Sequence, residues 1–251
     1  MQRVAQAVLH VEDVVVRFGG VFAVDGVSLL VEQGSRWAVI GPNGAGKTTL
    51  FRAISGEVRP TEGRVHLFGR DTSRAQPYTK AQRGLARTYQ VTNLFLALTV
   101  EENLAIAAQG RTRSRFVSWR PLRMRGWIEE RINGVLAAVG LTSRRHDLVS
   151  ELSHGEQRQL EIGMALATDP LLILLDEPAA GLSAAERQMM AALISSLPSD
   201  LSMVLIEHDM DIALELVEQV LVLDNGRPIA QGDPVSIRAN QQVQDVYLKS
   251  D

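Results

Sequence analysis

The first forty residues carry short apolar alternations. Leu9, Val11, Val14 and Val16 are spaced among polar neighbours, Phe18-Gly19-Gly20 turns the chain, and residues 27–31 form a second run, which predicts short β-strands. A third run, Trp37-Ala38-Val39-Ile40, ends in the glycine-rich Gly41-Pro42-Asn43-Gly44-Ala45-Gly46, and a helical pattern follows from Lys47. After Pro60 and Gly63, residues 64–68 read as another strand, closed by Gly69. From 99 to 141 the period is helical, with Leu104, Ala107 and Ala108, then Ile128, Ile132, Val135, Leu136 and Val139 at the apolar positions. Beyond Gly155 the elements alternate. A helix runs to about Ala167, 171–175 is a buried strand and 184–197 a helix; a strand at 203–206, a helix at 210–217 and a strand at 220–223 follow. That alternation predicts an α/β fold with a parallel sheet, into which the helix-only middle is inserted.

Composition narrows the classes. The chain has 251 residues, 45% of them hydrophobic and 22% charged, which excludes a disordered or collagen-like chain. With 0 Cys there is no disulfide framework, no cysteine-ligated metal and no thiol nucleophile. A net charge of −3 argues against a protein coated in basic charge for nucleic acid. The arginines from Arg111 to Arg125, with no acid among them, fit a solvated face, an RNA-binding arm or a surface facing anionic lipid headgroups. The aliphatic run 171–175 stops at Asp176, far short of the roughly 20 residues of a membrane-spanning helix. Residues 1–6 lead into no continuous apolar stretch, so no signal peptide is expected and the expected compartment is the cytoplasm.

Gly41-Pro42-Asn43-Gly44-Ala45-Gly46-Lys47-Thr48 matches the phosphate-loop pattern at every fixed position, in the strand–loop–helix context that the pattern requires. Glycines let the backbone turn its N–H groups around phosphates, and the following helix adds the positive end of its dipole. Lys47 supplies a mobile charge for the β- and γ-phosphates, the Thr48 hydroxyl is suited to ligate Mg²⁺, and Thr49 joins the nucleotide-binding residues. The strand 171–175 delivers Asp176 and Glu177 to the C-terminal edge of the sheet, where open α/β sheets place their ligands. Asp176 is placed there to hold the metal, and Glu177 to polarise a water for in-line attack.

On these residues and five further segments, the sequence resembles the nucleotide-binding subunits of ATP-binding cassette (ABC) transporters over nearly its whole length. Leu152-Ser153-His154-Gly155-Glu156-Gln157 is similar to the family's LSGGQ signature, with His154 in place of its first glycine and Glu156 in place of its glutamine. Gln90 resembles the glutamine loop, Ala180-Gly181-Leu182-Ser183 the D-loop without its usual Asp, and His208 the switch histidine. Phe18 stands where family members place an aromatic that stacks on adenine. Alone, each has another reading: Gln90 as a surface residue, His208 as a helix start beside Asp209, Phe18 as a core aromatic.

The resemblance implies a P-loop NTPase fold of one domain over 1–251, with an N-terminal antiparallel β subdomain and an α-helical subdomain inserted at about 91–160. It implies ATP–Mg²⁺ held by the loop, Thr48, Asp176 and Gln90. Glu177, His208 and Gln90 would serve hydrolysis, and Ser153, Gly155 and Glu156 would reach the nucleotide of a second, same or homologous cassette. His154 would have to accept the glycine's backbone angle. Expected partners are transmembrane permease subunits and, through them, a periplasmic or extracellular solute-binding protein, with no nucleic acid. The expected location is peripheral, on the cytoplasmic face of the membrane. Gly84 to Gln90, residues 98–104, residues 177–182, Ile206 to Met210 and the tail Val246-Tyr247-Leu248 resemble importers of branched-chain amino acids and their urea or amide relatives. The ATPase of lipopolysaccharide export, with a similar tail, ranks second. Soluble ABC ATPases of DNA repair or ribosomes need a coiled-coil insertion or a second cassette, and 251 residues hold neither.

Overall fold

A period of two in the N-terminal apolar residues builds the first sheet. In the computed structural model, which describes residues 7–88, 94–110 and 122–248, β1 (Ala7–Phe18) and β2 (Val21–Glu32) pair antiparallel around Gly19-Gly20. Leu9, Val11, Val14 and Val16 on one strand and Val24, Val27, Leu29 and Val31 on the other are buried. β2 starts at Val21 rather than Val27. Val21 and Phe22 are exposed, so pairing with Phe18 and Arg17 sets the strand there, and no burial pattern announces it.

β3 (Arg36–Ile40) leads through the glycine loop into α1 (Lys47–Ser55). β4 (Glu62–Leu67) and the short β5 (Arg70–Asp71) complete a four-stranded antiparallel sheet in the order β2-β1-β4-β5. α1 sends Leu50, Phe51, Ala53 and Ile54, all fully buried, into a core shared with strands of both sheets. A full burial of that kind stabilises by about 1.5–3 kcal/mol per large side chain. α2 (Pro77–Gln82) carries Lys80, whose side chain is fully buried. Its ammonium donates to the carbonyls of Ala53 at 3.2 Å and Ile54 at 2.7 Å, capping the negative end of α1. Burial pushes Lys80 down to about 8, with Asp71 pulling the other way.

After β6 (Leu85–Arg87) the chain turns helical, with α3 (Val100–Gln109), α4 (Leu122–Ala138) and α5 (His154–Ala167). These meet where α5 has Gly163, a residue whose absent side chain lets Leu104, Val135 and Val139 approach. Alternation then resumes with β7 (Leu172–Asp176), α6 (Ala184–Ser195), β8 (Ser202–Ile206), α7 (Met210–Leu216) and β9 (Gln219–Asp224). β10 (Arg227–Gly232), α8 (Pro234–Ala239) and α9 (Gln241–Leu248) follow. The second sheet has the order β10-β9-β3-β8-β7-β6, with β9, β3, β8 and β7 parallel and β10 antiparallel on β9.

The sequence places β7 one residue too early: Leu171 is 46% exposed and outside the strand, while Asp176 closes it. Leu171 instead covers the glycine at 84, so its apolar character serves a contact outside the ladder. The chain divides into two compact units. One takes in the chain up to Leu85, then Leu171–Glu177 and the part from Pro198 onward; the other is Ala86–Pro170 with Pro178–Leu197. Gln90 and residues 111–121 of the arginine-rich stretch lie outside the described residues.

Candidate active site

β3 brings Ile40 to the C-terminal edge of the parallel sheet, and the loop that follows has backbone angles only glycine takes easily: φ is 146° at Gly41, 81° at Gly44 and 99° at Gly46. A Cβ on Gly41 would stand 2.1 Å from the Leu223 carbonyl oxygen, and one on Gly46 2.3 Å from that of Ala23. Ala45 is buried, its N–H donating to the Pro42 carbonyl at 3.2 Å, while Asn43 and Gly44 are exposed at the tip. α1 starts without a side-chain cap, so its first amides are left for an anion. Lys47 is buried and donates to the carbonyls of Gly41 at 2.7 Å and Pro42 at 2.9 Å. Burial pulls this ammonium below the ordinary lysine range, and Glu177 and Asp176 pull it back up. The cradle fits a polyphosphate: a Cβ would fill it, and its one ammonium is held at the rim by bonds it can exchange. Thr48 and Asp176 offer hydroxyl and carboxylate oxygens, the hard donors that suit Mg²⁺.

The carboxylates come from the sheet register. Asp176 stands opposite Ile206 in the parallel β7–β8 ladder, and the Glu177 N–H donates to the Ile206 carbonyl at 3.0 Å. Glu177 then turns with φ 51°, a left-handed conformation costing an L-residue about 1–2 kcal/mol. This turn brings its buried Oε1 to 2.5 Å from His208 Nε2. His208 sits between β8 and α7, where Asp209, and not the histidine, caps the helix through the amides of Asp211 and Ile212. Phe18 is 54% exposed at the end of β1, which removes its reading as a core aromatic. On the same unit Tyr247 of α9 buries its phenol beside the Gly41 amide. Burial pushes that phenol up to about 12, with the Gly41 N–H pulling the other way.

In the second unit Ser153 caps α5. Its hydroxyl accepts the Glu156 N–H at 3.2 Å, while Glu156 accepts the Ser153 N–H at 2.8 Å and Arg144 Nε at 2.9 Å. Glu156 is therefore a capping-box residue whose carboxylate fixes Ser153. His154 is the first residue of α5 and is not among the residues with positive φ, so the backbone angle it has to accept is one open to any L-residue. The Gly155 N–H faces the Glu186 carboxylate. That carboxylate lies below the usual range chiefly through the hydroxyl and amide of Ser183, with Gly155 adding to them. The structure thus brings Lys47, Asp176, Glu177 and His208 into one unit and Ser153, Gly155 and Glu156 into the other; Gln90 lies outside the described residues.

Residues 24–180 match the family model described as ABC transporter. The chain belongs to the ABC transporter family. The cassette is 36% identical to the high-affinity branched-chain amino acid transport ATP-binding protein BraF of Pseudomonas aeruginosa, covering 97% of this chain and 98% of the relative. It is 35% identical to LivG of Escherichia coli, a protein of the same description, over the same shares. The structure of MJ1267, an ATP-binding cassette of an ABC transporter in its ADP conformation, matches with a TM-score of 0.85 and 30% identity, over 96% of this chain and 98% of that one.

The cassette is accordingly an ATP-binding and ATP-hydrolysing subunit that energises transport, and its relatives favour import over lipopolysaccharide export. As a transporter subunit it acts with transmembrane permease subunits and a second cassette. Among its described residues no helix is long and apolar enough to cross a membrane.

Three features of the cassette escape the motif reading, two of them although signals for them exist. Ser-x-x-Glu capping boxes at Ser153–Glu156 and Ser183–Glu186 identify Glu156 and Glu186 as helix-start acids. Asn225-Gly226, both with positive φ, is the tight-turn signal that announces the β9–β10 hairpin. Tyr247 had a motif position in the tail but nothing to place it beside Gly41.

Proposed function

We propose that this cassette powers import of branched-chain amino acids, as a single ABC ATPase domain over residues 1–251 with its helical part inserted at about 91–160. The observation that carries the solute class is that identity to BraF and LivG extends over 97% of the chain, well beyond the nucleotide motifs.

In this reading Phe18 stacks on adenine, while the amides of 41–46 and the first turn of α1, with Thr49, hold the phosphates. Lys47 exchanges its two carbonyl partners for the β- and γ-phosphates. Thr48, Asp176 and Gln90 hold Mg²⁺, which when bound offsets phosphate charge. Glu177 orients the attacking water and takes its proton, and His208, already bonded to it, fixes the carboxylate and reaches the γ-phosphate. Ser153 and Gly155 of the second cassette close over that phosphate, with Glu156 keeping Ser153 in place.

The cassette works on the cytoplasmic face of the membrane, bound to permeases that receive solute from a periplasmic or extracellular binding protein. Phe95 and Leu96, 48% and 50% exposed, offer the permease an apolar contact. Their segment is held by the buried Asn103, which accepts the Phe95 N–H at 2.9 Å and donates to its carbonyl at 3.1 Å.

The test is reconstitution with the permeases and solute-binding protein encoded beside it. Leucine-dependent stimulation of ATP hydrolysis in proteoliposomes is expected, and Phe95→Asp should abolish it while sparing the hydrolysis of the purified chain. Stimulation by urea or short amides and not by leucine overturns the solute; failure of the wild-type chain to bind membranes overturns the importer.

A further inference from the structure

Outside the nucleotide motifs, the antiparallel sheet collects three metal-ligating side chains. His10 and Glu12 are two residues apart on β1 and so share a face, the one opposite the buried Leu9 and Val11. β4 runs antiparallel beside β1, and its register sets His66 directly across from His10. Two strands thereby bring two imidazoles and a carboxylate to one spot.

The distances are those of a shared ligand. His10 Nδ1 is 3.0 Å from Glu12 Oε1, and His66 Nδ1 is 3.5 Å from the same oxygen. One ligand atom from each of the three residues lies within 4.8 Å of the others, and the imidazole centroids are 5.9 Å apart. A tetrahedral ion with bonds of about 2.0–2.1 Å separates its ligand atoms by about 3.3 Å, so the observed spacings need only small side-chain shifts.

His66 Nδ1 supplies an independent observation. It is buried, faces the carboxylate, and makes no hydrogen bond. A nitrogen left so is costly unless a further partner completes it. Asp71, across the β4–β5 pair from His66, has its carboxylate engaged by the hydroxyl and amide of Ser73 and adds negative potential beside His66.

We propose that His10, Glu12 and His66 form a binding site for a divalent transition-metal ion, Zn²⁺ in the first place, which ties β1 to β4. Two imidazoles and one carboxylate are a ligand set for Zn²⁺ with one position left open, whereas Mg²⁺ takes oxygen donors. The site is separate from the Mg²⁺ ligands of the nucleotide loop and does not depend on ATP.

The test uses the full chain, nucleotide-free and stripped of metal with EDTA. Zn²⁺ is titrated calorimetrically in excess Mg²⁺, and Co²⁺ is titrated by its visible absorption. One ion per chain is expected, with tetrahedral-type Co²⁺ absorption and a raised melting temperature. His66→Gln, His10→Gln and Glu12→Gln should each weaken binding by at least about tenfold while ATP hydrolysis is unchanged. The Glu12 side chain is 40% exposed, against 23% for His66, so Glu12→Gln keeps the test open should the His66 variant fold poorly. Absence of Zn²⁺ binding, or an isotherm that survives in all three variants and so places the ion elsewhere, overturns the proposal.

Discussion

Glu177 has two separable properties, its carboxylate and its left-handed backbone, and three substitutions distinguish them. Glu177→Gln keeps the size and an acceptor for His208 Nε2, 2.5 Å away, and removes only the negative charge. ATP affinity should hold, because one of the two carboxylates beside Lys47 is gone and nothing that touches phosphate is lost. Hydrolysis should fall by about 10²–10⁴-fold, about 3–5 kcal/mol of barrier, the range for a positioned proton acceptor. Glu177→Ala and Glu177→Gly both remove the side chain, but at φ 51° the alanine keeps the strain and the glycine releases it. Releasing about 1–2 kcal/mol of strain, less about 0.5–1 kcal/mol for glycine's freedom in the unfolded chain, leaves a net gain of about 0.5–1 kcal/mol. For a chain of this length that is roughly 1–4 °C in melting temperature. Turnover is read in a phosphate-release assay and melting by circular dichroism. A Gln variant hydrolysing within about threefold of wild type removes Glu177 from the chemistry, and a Gly variant melting below the Ala variant refutes the strain.

Two further outcomes follow from buried or capping groups. Lys80 should titrate near 8 in an ¹⁵N-detected NMR experiment on its side chain; because the folded chain releases this proton before the unfolded one does, the unfolded state binds more protons between about 8 and 10.5, and Lys80 makes stability rise with pH across that window. Comparison of wild-type and Lys80→Met denaturation at the two ends of the window checks the sign. Ser153→Ala should cost about 1 kcal/mol through loss of the α5 cap and also impair hydrolysis, whereas Ser153→Thr keeps a capping oxygen and should recover the stability in a urea titration.

The phosphate loop was legible in the sequence because its chemistry fixes residue type and spacing within eight positions. The carboxylates were legible for the same reason, since an aliphatic run can end in Asp-Glu at few places. The contact between Glu177 and His208 was not, because it depends on how β7 and β8 are aligned, and side-chain period alone does not give that alignment. The bounds of β2 and β7 moved where a residue's apolar character and its place in a ladder disagree, as at Val21 and Leu171. The tail is the opposite case: α8 and α9 are short and largely exposed, so Ile237 and Val243 are too few buried anchors to announce helices. The backbone angle at His154 was not legible either; the structure makes it the first helical residue, without a positive φ.

The Gly155 amide and Glu186 have a consequence for the working cycle. In the proposed function, each chain already supplies an acidic occupant, Glu186, for the amide that would meet the neighbouring chain's γ-phosphate. An arriving phosphate therefore replaces one anion by another and gains no new hydrogen bond at that amide. Such an exchange is close to level in free energy, so the join between two chains does not become a trap once the nucleotide is spent. The departing phosphate leaves a donor whose resident partner stands beside it, and release can proceed without exposing an unsatisfied group.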